Sequence, residues 1–147
     1  MIIALSGPSG VGKSTLASGL LARFASLALS ISHTTRNPRG AERDGVEYYF
    51  VSDSEFARMV DEGGFAEHAA IFQHRYGTAR STLSALANAG RDALLDIDYQ
   101  GVIQLTRSFP DSVSVLLVPP SMAVLEQRLR GRRTDSPEQL QIRLAKA

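Results

Sequence analysis

Short apolar runs alternate along the chain with stretches in which apolar residues return every three or four positions. Ile2, Ile3, Ala4 and Leu5 form the first run, and after a glycine-rich stretch Leu16, Leu20, Leu21 and Phe24 recur at helical spacing. This predicts a strand, a loop and a helix over residues 14–24, with residues 27–32 reading as a second strand. Between residues 34 and 44 the character changes. Arg36, Pro38, Arg39, Gly40, Glu42 and Arg43 crowd a polar, turn-rich stretch too poor in apolar residues to build core, which marks the start of an inserted lobe. Tyr48, Tyr49, Phe50 and Val51 suit a strand. Ser52 and Glu55 have capping-box spacing before a helix carrying Phe56, Met59 and Val60, which Gly63-Gly64 ends. Residues 65–78 return as strands, with Tyr76-Gly77-Thr78 reading as the turn that closes the lobe.

Leu83, Leu86 and Ala87 then predict a helix leading back to the core, and residues 93–98 an apolar strand ending in Asp96 and Asp98. Ligands of open α/β sheets bind at that end of the strands. Val102, Ile103 and Leu105 suggest a short helix, and residues 113–118 a fourth core strand stopped by Pro119-Pro120. Ser121 caps a helix carrying Val124, Leu125 and Leu129. Ser136, Pro137 and Gln139 resemble a cap, a first-turn proline and a capping-box partner for a last helix with Leu140 and Leu144. The alternation predicts an α/β protein with a parallel sheet core flanked by helices.

Composition narrows this further. A chain of 147 residues, 44% of them hydrophobic, is one domain with room for sub-lobes and enough apolar side chains for a buried core. The net charge of +1 gives no bulk reason to expect nucleic acid or an acidic membrane as partner. No apolar run approaches the ~20 residues needed to span a bilayer, and the N-terminal run is too short and lacks the basic flank of a signal peptide. The absence of cysteine excludes disulfides and thiolate metal sites and fits a reducing compartment, so the cytoplasm is the expected location.

Gly7-Pro8-Ser9-Gly10-Val11-Gly12-Lys13-Ser14 matches the phosphate-binding pattern G-x-x-x-x-G-K-[ST] at every fixed position and lies between a predicted strand and a predicted helix. Three glycines in six residues let backbone N–H groups converge as an anion nest at the positive end of the helix. Lys13 would reach the β- and γ-phosphates, and the Ser14 hydroxyl would enter a magnesium shell. A plain glycine-rich turn before an amphipathic helix is the simpler alternative. Asp96, at the end of a core strand, suits a magnesium partner acting through water, with a helix cap or strand-end carboxylate as the plainer alternative. The loop names a cofactor class and leaves the second substrate open. Arg36 and Arg39, three apart and near Tyr48, could grip a phosphate monoester, since arginine presents a planar fork of donors and a neutral phenol adds another. Singly, such loop arginines are usually solvated. Glu67 could be an ordinary edge-strand carboxylate and Thr78 a turn residue. The three histidines, His33, His68 and His74, show no metal spacing.

Taken together, residues 7–15, 32–50, 64–67, 76–78, 95–98 with Gln100-Gly101, 119–121 and 128–135 resemble the guanylate kinase family, in family order over nearly the whole chain. The resemblance implies a P-loop nucleoside-monophosphate-kinase fold with a core of residues 1–32 and 80–126. It also implies a mixed α/β GMP-binding lobe of residues 33–79 and a helical lid of residues 127–147. The implied activity is transfer of the γ-phosphate of ATP, with magnesium, to GMP or dGMP.

By the same resemblance, Gly7, Pro8, Ser9, Gly10, Val11, Gly12, Lys13, Ser14 and Thr15 hold the ATP phosphates. Arg36, Arg39, Tyr48 and Tyr76 hold the GMP phosphate, with Glu42 steadying the arginines. Glu67 accepts from guanine N1 and N2, Asp98 supports the same edge, and Ser32 and Thr78 face O6. Arg132 and Arg143 match lid arginines that neutralise charge during transfer, whereas Arg130 and Arg133 face solvent. Ala41, Gln73 and Arg133 depart from the family's usual glycines, and Ala41 would then sit in a turn that prefers positive φ. Family members continue to a further strand and helix, so a fragment is expected, with four parallel strands and an unpaired edge near residues 113–118. A non-catalytic binding module, a nucleic-acid binder using the arginines at 128–133 and a sugar-phosphate kinase are the rival readings. Lys13 and the lid arginines, the balanced charge, and the guanine-reading set speak against them in turn.

Overall fold

Parallel strands buried on both faces carry apolar side chains at successive positions, and β1 (Ile2–Ser6) has this character, with Ala4 and Leu5 both essentially inaccessible. The computed structural model describes residues 1–131 and 137–145. After β1 come α1 (Lys13–Arg23), β2 (Leu27–Leu29), β3 (His33–Thr34), β4 (Tyr49–Phe50), α2 (Asp53–Asp61), β5 (Phe65–Ile71) and β6 (His74–Ala79). The chain continues through α3 (Arg80–Asn88), β7 (Asp92–Asp96), α4 (Tyr99–Ser108), β8 (Val113–Leu116), α5 (Met122–Gly131) and α6 (Pro137–Ala145).

Two four-stranded sheets result. The core sheet, ordered β2-β7-β1-β8, is parallel throughout. Successive side chains of a strand leave opposite faces, so Ala4 and Leu95 join Leu83, Ile97 and Leu105 on one side. Leu5 and Leu94 pack with Ala17 and Leu27 on the other. α1 thus covers one face, and α3 and α4 the other. All four residues of β8 are exposed. The second sheet, ordered β4-β3-β6-β5, joins an antiparallel β5–β6 hairpin to β3. α2 closes its apolar face: Phe56, fully buried, stacks on Phe65 with ring centroids 4.6 Å apart. Ser52 caps α2 by accepting from the Glu55 N–H at 3.1 Å. α5 and α6 share a small core of Leu125, Leu129 and Leu140.

Several elements differ from the sequence expectations. The strand expected over residues 27–32 ends at Leu29, because the chain changes partners: Ser30 N–H still donates to Leu94 O, but Ser32 O already accepts from Tyr49 N–H. The expected turn at Tyr76-Gly77-Thr78 is continuous strand. Gly77 serves close approach there, since a Cβ would lie 2.8 Å from the Phe65 ring. The helix at Val102 is no short turn but the ten residues of α4. The turn at residues 40–41 takes its positive φ at Gly40 (56°) and leaves Ala41 unstrained; among the described residues the non-glycine with positive φ is Phe72.

Gly77→Ala is therefore expected to lose about 1–3 kcal/mol, the usual cost of forcing a methyl into packed side chains, as read from the midpoint of urea unfolding.

Candidate active site

The turn after β1 is built by glycines at φ 142°, 88° and 112° (Gly7, Gly10 and Gly12), and Gly12 is the N-cap of α1. The loop therefore stands at the positive end of a helix, where backbone N–H groups favour an anion. Lys13 folds over it, its Nζ donating to Gly7 O at 2.8 Å and Pro8 O at 3.3 Å. β1 and β7 are neighbours, with Leu5 in register with Asp96, and this brings the Asp96 carboxylate to the root of the loop. Ser14 Oγ donates to Asp96 Oδ2 at 3.4 Å, and Lys13 Nζ lies 3.9 Å from Asp96 Oδ1. One hydroxyl and one carboxylate side by side form a hard, sparse oxygen set of the kind magnesium takes when phosphates and water complete its shell. Among the described residues no cluster of three or more His, Cys, Asp or Glu could hold a metal by itself.

α5 and α6 close on the same loop. A Cβ on Gly10 would lie 2.8 Å from Leu129 Cδ2, Arg128 Nη1 donates to Val11 O at 2.8 Å, and Arg143 Nη1 donates to Ser9 Oγ at 2.7 Å. Arg130 faces solvent, paired with Glu126 one turn back. Arg132 lies outside the described residues, as does Arg133.

The residues expected on the acceptor side divide into two groups. In the first, Arg36 and Glu42 form a two-bond fork, Nη1 to Oε2 and Nη2 to Oε1, both at 2.9 Å. Glu42 Oε2 also accepts from the Arg39 N–H at 2.8 Å, while Arg39 itself is exposed. The Arg36 fork holds the Glu42 carboxyl below the usual carboxylate range. Arg36 is only 6% exposed, its guanidinium carbon lies 5.3 Å from the Tyr48 ring centroid, and Tyr48 meets Tyr76 edge to face at 5.9 Å. Burial pushes the Tyr48 phenol up, which keeps it a neutral donor.

The second group surrounds Glu67 on β5, which is 4% exposed. Burial raises its pKa above the ordinary value, and the neighbouring Asp98 charge adds to the rise; the buried Thr78 Oγ1 has no hydrogen-bond partner among the described residues. Thr78 pairs with Glu67 across the hairpin and is fully buried. Asp98 caps α4, Oδ1 accepting from Gly101 N–H and Oδ2 from Gln100 Nε2, both at 3.0 Å.

A cleft of about 280 Å³ joins the two sides. Gly7, Ser9, Gly10, Gly12, Lys13, Ser14, Asp96 and Arg143 line it from the loop side, and Ser32, Tyr48, Glu67, Tyr76 and Asp98 from the other. Arg36, Arg39, Glu42 and Thr78 are not part of this lining. Three contributors escaped sequence reasoning. Gly101 carries no Cβ because one would overlap the Glu67 carboxylate. Gln104 clamps β5 onto α4, its Oε1 accepting from His68 N–H at 3.1 Å and its Nε2 donating to His68 O at 2.7 Å. Phe72 enters the lining from the β5–β6 turn. The run Gln100-Gly101 was a visible signal for the first; nothing local marks the other two, whose partners lie 36 and 71 residues away in sequence.

A parallel sheet with flanking helices, and a glycine loop with its lysine at the end of the central strand pair, define a P-loop kinase fold. The guanylate kinase family profile matches residues 1–147. Guanylate kinase of Rickettsia bellii is 48% identical over 147 residues, covering 100% of this chain and 77% of that protein. The Neisseria gonorrhoeae guanylate kinase is 47% identical over 146 residues, covering 99% and 71%. The crystal structure of guanylate kinase from Anaplasma phagocytophilum superposes with a TM-score of 0.74 at 37% identity, over 88% of this chain and 65% of that one. The chain thus spans about two thirds to three quarters of the length of these relatives, and it belongs to the guanylate kinase family. No helix among the described residues is long and apolar enough to cross a membrane.

Because Arg36 is buried on Glu42, Glu42→Gln is expected to cost about 1–3 kcal/mol at neutral pH by leaving a charged group poorly paired. Glu42 has a depressed pKa in the folded state, so its contribution is present above the ordinary carboxylate pKa and is lost as pH falls through the depressed value. Urea unfolding of the two proteins should therefore converge in acid.

Proposed function

We propose that the chain binds ATP at the loop of residues 7–15 and transfers its γ-phosphoryl group to GMP or dGMP. One observation supports this above the others: phosphate-loop residues and a buried guanine-type carboxylate face each other across a single cleft. In this reading residues 33–79 form the acceptor lobe, residues 1–32 and 80–126 the core and residues 127–147 a lid. The work takes place in the cytoplasm, with small nucleotides rather than nucleic acid or membrane as partners.

The acceptor phosphate lies against Arg36, Arg39, Tyr48 and Tyr76. Glu42 holds the Arg36 fork in plane, and the neutral phenols donate without adding charge. Guanine presents N1–H and N2–H donors to Glu67 and O6 to Ser32 and Thr78, with Asp98 on the same edge. Adenine would place an acceptor against the carboxylate and leave a buried polar pair unmade, a stronger rejection than loss of packing gives. Lys13 and the loop N–H groups hold the donor phosphates. Ser14, with Asp96 through water, would hold magnesium, which would supply positive charge to neutralise the phosphates. Arg143, together with Arg132, meets the charge on the phosphoryl group in transit. The GMP phosphate oxygen forms the new P–O bond as the bond to the ADP oxygen breaks. Positioning and electrostatics supply most of the acceleration, so no general base is assigned.

ADP release measured with GMP, dGMP, AMP, CMP and UMP tests this: GMP should exceed AMP by at least about 10²-fold in kcat/KM, and equal rates would overturn the base assignment. Lys13→Ala should slow transfer by on the order of 10²-fold while GMP binding persists. Glu67 must be ionised to accept from guanine, and burial raises its pKa. GMP affinity is therefore expected to be full above that raised pKa and to fall as pH drops through it, by up to about ten-fold per unit. Calorimetric titration with GMP should show this limb, and Glu67→Gln should flatten it and weaken GMP selectivity with ATP binding retained.

A further inference from the structure

The pairing of Ile71 with His74 leaves a two-residue turn between β5 and β6, and its first residue, Phe72, holds φ at 57°. Bulky L-residues rarely adopt this left-handed conformation, which glycine or asparagine takes without difficulty. Such outliers persist where the surroundings over-determine them, and they gather at functional sites. Burial does not account for this one, since Phe72 is 43% exposed. Its ring instead meets Arg143 of α6, with the guanidinium carbon 5.1 Å from the ring centroid, inside the range of a cation–π contact. The same guanidinium donates to Ser9 Oγ at 2.7 Å. Ring, guanidinium and loop hydroxyl thus run in series from the acceptor hairpin, across α6, to the phosphate loop.

We propose that Phe72 is a positioning residue that aims the Arg143 guanidinium at the phosphate side of the cleft. A cation–π contact engages the flat face of the guanidinium and leaves its in-plane N–H fork for oxygen acceptors. Ser9 takes one of those N–H groups, and Phe72 and Arg143 both line the cleft. The strained backbone of Phe72 is then the means of bringing a ring from the acceptor lobe over a cation of the donor side. The inference rests on the kinase reading above, in which Arg143 meets the charge of the group in transit.

Phe72→Asn separates this role from a structural one, because asparagine relieves the backbone and removes the ring. The full chain carrying it should melt at or above the wild-type temperature while kcat for ADP release falls about five-fold and KM for GMP stays within about two-fold. Phe72→Leu, which keeps bulk without a π-face, should lose kcat similarly, and Phe72→Tyr should keep it. In an Arg143→Met background Phe72→Asn should add no further loss. Wild-type kcat in both Asn and Leu variants, or an undiminished second loss in the Arg143→Met background, overturns the proposal, as does a joint fall of kcat and melting temperature. An activity-free readout separates it from the kinase reading. In nitrogen-labelled protein the Arg143 Nε–H resonance should carry a ring-current shift that Phe72→Leu abolishes. If wild-type protein released no ADP with GMP, the kinase reading would fail, and this shift would still decide whether Phe72 places Arg143; its absence overturns the placement.

Discussion

A loop built on glycines at positive φ keeps its form through bracing from outside it. Here the backbone at Gly7, Gly10 and Gly12 lies at positive φ, and the bracing arrives from distant chain. Gly7 sits against the Leu117 carbonyl beyond β8, Leu129 of α5 packs on Gly10, Arg128 donates to Val11 O, and Arg143 of α6 reaches Ser9. The small α5–α6 core therefore does more than bury Leu125, Leu129 and Leu140. It fixes the far wall of the loop, while β7 fixes the near wall by setting Asp96 beside Ser14.

The other half of the cleft is governed by the opposite difficulty, a carboxylate in a place that disfavours its charge. Glu67 is buried beside a second carboxylate, Asp98, and faces Thr78 across the hairpin. α4 supplies the rest of the setting: Asp98 caps it, Gly101 leaves room for the Glu67 oxygens, and Gln104 ties the following residue, His68, by both backbone groups. A carboxylate in such surroundings costs free energy while its hydrogen bonds are unmade, because there is no solvent to replace them.

Much of this was legible beforehand, and the reasons differ by element. α1, α2, β7 and α5 follow from apolar periodicity and caps, which are local properties of the chain, and Ser52 caps α2 as its spacing suggests. The glycine loop between β1 and α1 was legible because its glycines, Lys13 and Ser14 are contiguous in sequence. The strand change after Leu29 was not, since a switch of hydrogen-bonding partner from Leu94 to Tyr49 leaves no trace in composition. Gly77 misled for a related reason: a glycine that makes a turn and a glycine that admits a neighbouring ring look the same in sequence.

The sequence by itself determined the α/β alternation, the anion loop and the inventory of arginines, tyrosines and carboxylates, because each depends on the residue and its near neighbours. Tertiary structure alone decided which of these face one another. The pairing of β1 with β7 put Asp96 at Ser14, the β5–β6 hairpin set Thr78 against Glu67, and α6 brought Arg143 between Phe72 and Ser9. The geometry of those contacts comes from strand register and helix packing, which local sequence preference does not encode.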